Sequence, residues 1–161
     1  MKNPANQSDV KEIKKIVENK MAEDNIIRFD SEEQKSEYER EKRRIIGASA
    51  YNQEKKFESQ AERNLIGIEL EEAGRIDEAI LIYEQNVKGN FEGSHPYTRL
   101  AIIYRKRKQI DDEIRILKKA ARKFRDSSKG EYFSGRLEKA EALKAKIDKR
   151  QISEKKGQSN G

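Results

Sequence analysis

Residues 62–124 contain two segments that match each other when the sequence is shifted by 34 positions. Apolar or small residues then coincide at nearly every candidate core position: Gly67 with Ala101, Leu70 with Tyr104, Ile76 with Ile110, Ile80 with Ile114, Tyr83 with Leu117 and Val87 with Ala121. Asp77 and Asp111 also coincide, each at a predicted turn. A period of this length is typical of repeats made of two helices. The sequence therefore predicts two successive helical hairpins.

The remainder of the chain has too few apolar residues to fold by itself. Leu, Ile, Val and Phe account for 33 of the 161 residues, and 18 of these 33 lie within residues 61–125. These four residue types thus make up about a fifth of the chain. Below about this fraction, a chain cannot bury enough apolar surface to offset the entropy that it loses on folding. Glu, Lys, Arg, Ala, Leu and Ile dominate the composition and favour helix. We therefore predict an all-α protein with one dense core segment between polar flanks.

The first of the two segments carries a further pattern of small and bulky residues. Gly67 is a small residue suited to a close approach of two helices, Gly74 marks a turn, and Ala79 is followed four positions later by the bulky Tyr83. Over residues 61–125 the chain resembles the tetratricopeptide repeat (TPR) family. The resemblance implies helix-turn-helix repeats stacked as a short α-solenoid. An ordinary antiparallel helix bundle is the alternative.

The second segment departs from this pattern at two positions. Lys108 stands where the first segment has its turn glycine, and Glu113 stands at the position of Ala79. The expected helices lie near residues 61–73, 76–88, 95–107 and 110–124. In the helix expected at 110–124, apolar residues at helical spacing predict the buried face. They are Ile110, Ile114, Leu117, Ala121 and Phe124. Pro96 suits the first turn of its helix, which Ser94 or His95 would cap.

Residues 1–60 predict a polar helical region. A helix is expected at about 9–23, where a narrow apolar stripe follows a capping box formed by Asp9 and Glu12. Residues 24–30 break the period and predict a loop. Ser31 and Gln34 form a second capping box, and a long polar helix is expected at about 32–58. Gly47 interrupts this helix at a cost of about 1 kcal/mol relative to alanine.

Residues 126–151 predict a capping helix, which begins near residue 131. A further shift by 34 positions places Gly135 on Ala101, which suggests the first helix of a decayed third repeat. Such a helix would cover the apolar face that a stack of repeats leaves at its end. Residues 152–161 are expected to form a disordered tail.

The sequence contains no pattern that indicates catalysis. It has no cysteine and a single histidine, His95, which we interpret as a residue at a helix start. No phosphate-binding loop, dinucleotide fingerprint, calcium loop or zinc spacing occurs. We therefore predict a protein that is not an enzyme and binds no metal or other cofactor. The lack of a signal peptide, of a membrane-spanning apolar run and of cysteine favours a cytoplasmic location without membrane association.

The charge of the chain is unevenly distributed along the sequence. The net charge of +6 hides an acidic stretch at 61–92, with a formal charge of −5, and a basic stretch at 99–125, with a formal charge of +8. Arg115, Lys119 and Arg122 share one helix face and form a candidate site for a polyanion. The alternative is that these cations only complement helix C-termini.

The TPR resemblance also implies where a ligand would bind. First helices of TPR repeats line a groove that takes an extended peptide or a partner helix. The corresponding positions in this sequence are Asn64, Ile68, Glu71, Thr98, Ile102, Arg105 and, at the edge, Lys106. Ile68 replaces the asparagine that chaperone-tail-binding members use to hold a C-terminal carboxylate, so binding of chaperone tails is not predicted.

These observations favour a protein-protein interaction module, whose protein or peptide partner the sequence does not identify. A basic nucleic-acid-associated regulatory protein that uses residues 99–125 is the first alternative. A self-associating structural protein, in which the acidic and basic hairpins of separate copies stack as a homo-oligomer, is the second. A third is a regulator of the kind found among small lysine-rich repeat proteins of bacteria and phages.

Overall fold

A computed structural model describes residue 15 and residues 29–158 of the chain. This part of the protein contains α-helices and no strands, which confirms the all-α prediction. The helices are α1 Glu32–Ile46, α2 Ala48–Glu72, α3 Ile76–Lys88, α4 His95–Lys106, α5 Ile110–Lys123 and α6 Ser128–Gln158. Apart from Lys15, the helix predicted for residues 9–23 lies outside the described residues.

The described residues form two compact units that divide between Phe91 and Glu92. The first unit contains α1, α2 and α3, and the second contains α4, α5 and α6. Within each unit every helix packs against the next one in the chain. Within each unit, side-chain hydrogen bonds, an ion pair and ring contacts between successive helices show that these helices run antiparallel.

Helix α1 ends at Gly47, so the single helix predicted for residues 32–58 is wrong. Gly47 has a φ of 84°, a backbone conformation that glycine adopts readily and other residues rarely do. The chain reverses at this residue, and α1 folds back along the first half of α2. Lys42 Nζ lies 2.6 Å from Glu54 Oε1, and Lys55 Nζ lies 2.8 Å from Glu39 Oε1.

The Ser31 half of the capping box predicted at the start of α1 is confirmed, whereas Gln34 bonds to Asp30 in place of Ser31. The backbone N–H of Gln34 donates to Ser31 Oγ at 3.2 Å, and the Gln34 side chain accepts a hydrogen bond of 2.9 Å from the backbone N–H of Asp30. The first bond satisfies a backbone donor that the first turn of a helix leaves without a partner, and the second ties the residue before the N-cap to that turn.

The core of the first unit lies between α2 and α3. Ile66, Leu70, Ala79, Tyr83 and Val87 are all buried there. The Tyr83 ring packs against the backbone of α2 at Gly67. A Cβ added at Gly67 would lie 2.8 Å from Tyr83 Cδ1, which is too close for an ordinary contact. The expectation that Gly67 allows a close approach of two helices is therefore confirmed.

Hydrogen bonds close the end of the α2–α3 hairpin that lies away from its turn. The Gln60 side-chain amide donates to Gly89 O at 2.7 Å, and Asn86 Nδ2 donates to Gln60 O at 2.9 Å. Arg63 Nε donates to Asn86 Oδ1 at 3.1 Å. Asn86 is fully buried, and its amide pairs with the Gln60 carbonyl and the Arg63 guanidinium. An apolar side chain at this position would leave both groups without this partner.

In the second unit, α5 is buried on a wider face than the predicted stripe. Ile110 and Leu117 of the predicted stripe are buried, but Ile114, Ala121 and Phe124 are only half-buried. The most deeply buried residues of α5 include Glu113, Ile116, Leu117 and Ala120. The reason is that α5 packs between two helices, α4 and α6, so that its buried face is broader than a single stripe.

The last helix, α6, starts at Ser128 and continues to Gln158, seven residues past the predicted end at 151. It contacts α5 through Phe133, which is fully buried and stacks on Phe124 with ring centroids 5.6 Å apart. Ala140 of α6 is also fully buried. The further shift by 34 positions aligns Gly135 with Ala101. Ala101 is fully buried, whereas Gly135 is only half-buried, so the third repeat suggested by this shift does not predict which residues of α6 are buried.

The 34-residue correspondence does hold between the two hairpins. Helices α2 and α4 end at Glu72 and Lys106, and helices α3 and α5 begin at Ile76 and Ile110, so both pairs of bounds are 34 positions apart. The turns also match: Gly74 has a φ of 74° and Lys108, 34 positions later, has a φ of 60°. The hydrogen bond from Arg75 N to Leu70 O has its counterpart from Gln109 N to Tyr104 O.

Candidate interaction surfaces

The first candidate surface is the stripe of Asn64, Ile68 and Glu71, which we call the α2 stripe. Its residues are spaced by four and three positions, so they share one helix face. All three are half-buried, whereas Ile66 and Leu70 on the inner side of α2 are buried. Glu71 Oε2 accepts a hydrogen bond of 3.1 Å from the Tyr83 hydroxyl, which fixes this carboxylate against α3.

The second candidate surface is the α4 stripe, which consists of Thr98, Ile102 and Arg105. These residues stand 34 positions after those of the α2 stripe and are likewise half-buried. The Thr98 hydroxyl donates to the backbone oxygen of Ser94 at 3.1 Å. Lys106 is exposed at the end of α4. Each stripe thus has a polar residue, then isoleucine, then a charged residue, and the charge is negative in one stripe and positive in the other.

Arg105 has a structural role that the sequence prediction did not include. Its Nε lies 2.5 Å from Glu113 Oε2, and the Glu113 side chain is fully buried. Arg136 Nη2 of α6 lies 3.6 Å from Glu113 Oε1. Arg105 therefore neutralises a buried carboxylate in addition to facing the α4 stripe. The sequence does contain a signal for the burial of Glu113. Glu113 aligns with Ala79 in the 34-residue shift, and Ala79 is also fully buried.

The groove predicted from both stripes stays a prediction, because α2 and α4 belong to different compact units. Within each unit, the structure does place the three predicted residues on one partly exposed face. The charged side chain of each stripe is held by a residue on the second helix of its own hairpin.

The third candidate surface is the basic cluster of Arg115, Lys119 and Arg122 on α5. The three residues line an open concavity of about 500 Å³ together with Asp111, Ile114 and Lys118. Acidic residues partly neutralise this surface. Asp112 pairs with Arg115 at 3.2 Å, Glu141 pairs with Lys118 at 3.2 Å, and Asp111 pairs with Lys144 at 3.1 Å.

Some titratable groups at helix contacts have perturbed pKa values. Burial raises the pKa of Tyr97 to about 12, and the charge of Glu92 adds to the effect. Burial is the largest single influence on Glu39 and Lys55 and opposes the charged form of each. The hydrogen bonds and charges of their partners together outweigh burial, so Lys55, Tyr51 and Lys42 lower the pKa of Glu39, and Glu39 and Glu58 raise the pKa of Lys55.

His95 is the first residue of α4, as predicted. Among the described residues, no three histidine, aspartate or glutamate side chains come together as metal ligands. None of the described helices combines the length and the hydropathy of a transmembrane span.

No protein-family model, curated protein or solved structure matches this chain. The TPR resemblance therefore stays a prediction from the sequence.

Proposed function

We propose that this chain is a non-catalytic, TPR-like interaction module in the cytoplasm, and that the α2 and α4 stripes bind a peptide or a helix of a partner protein. The observation that carries the proposal is the agreement of the two hairpins, whose helix bounds and turn conformations recur after 34 residues. Repeats of this kind expose equivalent faces of successive first helices, which suits them to extended ligands.

The composition of the stripes supports a protein ligand. Ile68 and Ile102 stand at equivalent positions and keep part of their apolar surface accessible. Glu71 and Arg105 flank them with opposite charges. A helix or extended peptide that carries an apolar residue beside charged ones would complement both stripes, because apolar contacts supply affinity and the charges fix orientation.

The test is an affinity purification with matched variants and mass spectrometry. Ile68→Glu together with Ile102→Glu should remove a captured partner that the wild-type chain retains. Leu81→Glu is the control, because Leu81 is a 64 % exposed aliphatic residue on α3 outside both stripes. Equal capture by the stripe variant and the control would contradict the proposal, provided that circular dichroism shows both variants to be folded.

Charge reversal at Arg105 is unsuitable for this test, since it would also leave the buried Glu113 carboxylate without its nearest cation. Lys106→Glu tests the charge at the same end of α4 without disturbing that pair. Lys106 is exposed and follows the α4 stripe directly. Weaker capture by Lys106→Glu, at unchanged stability, would support a contribution of the basic end of α4.

The concavity beside the basic cluster favours binding of nucleic acid as a second candidate function. A gel-shift assay with single-stranded RNA should then show retardation that weakens steeply with salt, because phosphate binding releases counterions. Arg115→Glu with Arg122→Glu should abolish it, whereas Lys155→Glu with Lys156→Glu, the same charge change at the exposed end of α6, should reduce it less. Absence of retardation at low salt would exclude this candidate.

A further inference from the structure

Helix α1 packs on α2 without a buried core. No residue of α1 is buried, and only Tyr38, Glu39 and Lys42 of this helix are half-buried. Helices α2 and α3, in contrast, bury Leu70 and Tyr83 between them. Because burial of apolar surface is the main force that holds helices together, the contact between α1 and α2 depends on other interactions.

Ion pairs join α1 to α2. Lys42 pairs with Glu54, and Glu39 pairs with Lys55, and each of the four side chains keeps between 20 % and 40 % of its surface exposed. Ion pairs with this much exposure contribute little to stability, and salt screens them. The range of a charge–charge interaction falls from about 10 Å at 0.1 M salt to about 3 Å at 1 M salt. The attachment of α1 should therefore weaken as the ionic strength rises.

The reversal of the chain between α1 and α2 is confined to Gly47. Its N–H donates to Arg43 O and its carbonyl oxygen accepts from the Tyr51 N–H, both at 3.0 Å, so helical hydrogen bonds reach this residue from either side. No heavy atom lies within 4 Å of a Cβ added at Gly47, and the adjacent Ile45 and Ile46 are exposed. Since the described residues leave this corner open, a change in φ and ψ of one glycine can move α1 without unfolding it.

We propose that α1 is a strap that is held on α2 by charge and rotates away from α2 about Gly47 at high ionic strength. Opening exposes the face of α2 that carries Tyr51 and Lys55, both half-buried in the closed form. At about 100° per residue, Lys55 stands about 140° around α2 from Ile68. The strap therefore covers a different face from the α2 stripe, and the proposal is independent of the proposed function.

The absence of native cysteine allows a direct distance measurement. Ser36 and Ser59 are exposed, and the register of the two ion pairs places them opposite each other. In the full-length chain, nitroxide labels on Ser36→Cys and Ser59→Cys should report, by pulsed electron paramagnetic resonance at low salt, one short distance between helices about 10 Å apart. At about 1 M salt a second population should appear, with a backbone separation of up to about 34 Å, which is the combined length of the two helical arms from Gly47. A single short distance at every salt concentration would overturn the proposal.

Circular dichroism of the same labelled chain separates rotation of the strap from unfolding of α1. The helical signal should stay constant while the longer distance appears. A loss of helical signal in step with the longer distance would show that α1 unfolds, and would refute rotation about Gly47. In addition, Gly47→Ala should increase the population with the longer distance at low salt, because alanine rarely adopts a φ of 84°. No increase in this variant would contradict the assignment of the hinge.

Matched variants test whether charge holds the strap closed. Glu39→Gln with Lys42→Gln removes the α1 member of both ion pairs at constant net charge, so the longer distance should appear already at low salt. Glu41→Gln with Arg44→Gln is the control, because these two residues pair with each other within α1. The fraction of molecules with the longer distance at low salt should be at least about threefold larger in the first variant than in the control. Equal fractions in the two variants would contradict the proposal.

Discussion

Arg105 of α4 and Glu113 of α5 form an ion pair of 2.5 Å in which the carboxylate is fully buried. Arg136 of α6 approaches the other carboxylate oxygen at 3.6 Å, so one acidic side chain connects all three helices of the second unit. The first hairpin has Ala79 at the equivalent position and needs no such pair. The two hairpins thus share a backbone plan but are stabilised by different interactions.

Removing the Arg105 cation should therefore destabilise the protein more than removing the Glu113 carboxylate. Arg105→Ala leaves a buried carboxylate with only the more distant Arg136, and we expect the free energy of unfolding to fall by about 3 kcal/mol. Glu113→Ala removes the buried charge itself and restores the residue of the first hairpin, so the loss should be smaller. Urea denaturation of both variants measures the difference. A larger loss in Glu113→Ala than in Arg105→Ala would contradict this account of the pair.

The contact between Gly67 and Tyr83 predicts a site where one added methyl group is harmful. Gly67→Ala would force its Cβ against the buried Tyr83 ring, and overpacking of this kind typically costs about 1–3 kcal/mol. Gly135→Ala in α6 is the control, because no heavy atom lies within 4 Å of its added Cβ. It should be neutral or stabilising by up to about 1 kcal/mol. Thermal unfolding that shows equal effects of the two changes would argue against the close helix approach.

The equivalent turns predict reciprocal effects of glycine. Lys108 has a φ of 60°, a conformation that costs residues with a Cβ about 1–2 kcal/mol, so Lys108→Gly should raise the free energy of unfolding by up to about 1 kcal/mol. Gly74→Lys, at a φ of 74°, should lower it by about 1–2 kcal/mol. Chemical denaturation of both variants provides the comparison. Changes of the same sign would show that the two turns are not equivalent.

Tyr97 predicts a loss of stability at high pH. Its pKa is raised to about 12 in the folded protein, whereas an exposed tyrosine titrates near about 10. Between these values the unfolded chain loses the proton and the folded chain keeps it. The free energy of unfolding should therefore fall as the pH rises above about 10, by about 2 kcal/mol near pH 12.

Tyr97→Phe keeps the edge-on ring contact with Phe124 and removes the titration. The variant should lose less stability than the wild-type chain between pH 9 and about 11.5, as measured by urea denaturation. It should also lack one tyrosinate step above pH about 11 in the absorbance at 295 nm. An identical pH dependence of the two proteins would contradict the assignment to Tyr97.

The hairpins and their turns could be predicted because their signals are local and repeated. The 34-residue shift compares each position with a second example, so Ile110 marks a helix start as Ile76 does. The break at Gly47 could not be predicted from propensity, which assigns glycine a cost in helix but does not say whether its φ becomes positive. That choice depends on the ion pairs between α1 and α2, which join residues 12 and 16 positions apart.

The buried face of α5 and the role of Arg105 could not be predicted for a different reason. A single stripe describes a helix with one neighbour, whereas α5 has two, and the second, α6, comes from a segment without a repeat signature. Glu113 is fully buried because arginines from both neighbours reach it. A glutamate is normally exposed unless it is paired, and such partners become visible only in the folded chain.

The central claim is that the α2 and α4 stripes contact a protein partner. The most direct measurement places a photo-reactive amino acid at Ile68, at Ile102 and, as a control, at the exposed Leu81, and identifies crosslinked proteins by mass spectrometry. Our account predicts that one and the same protein is crosslinked from both stripe positions and not from Leu81. Crosslinks to that protein from Leu81 alone, or the absence of a common protein at Ile68 and Ile102, would contradict it.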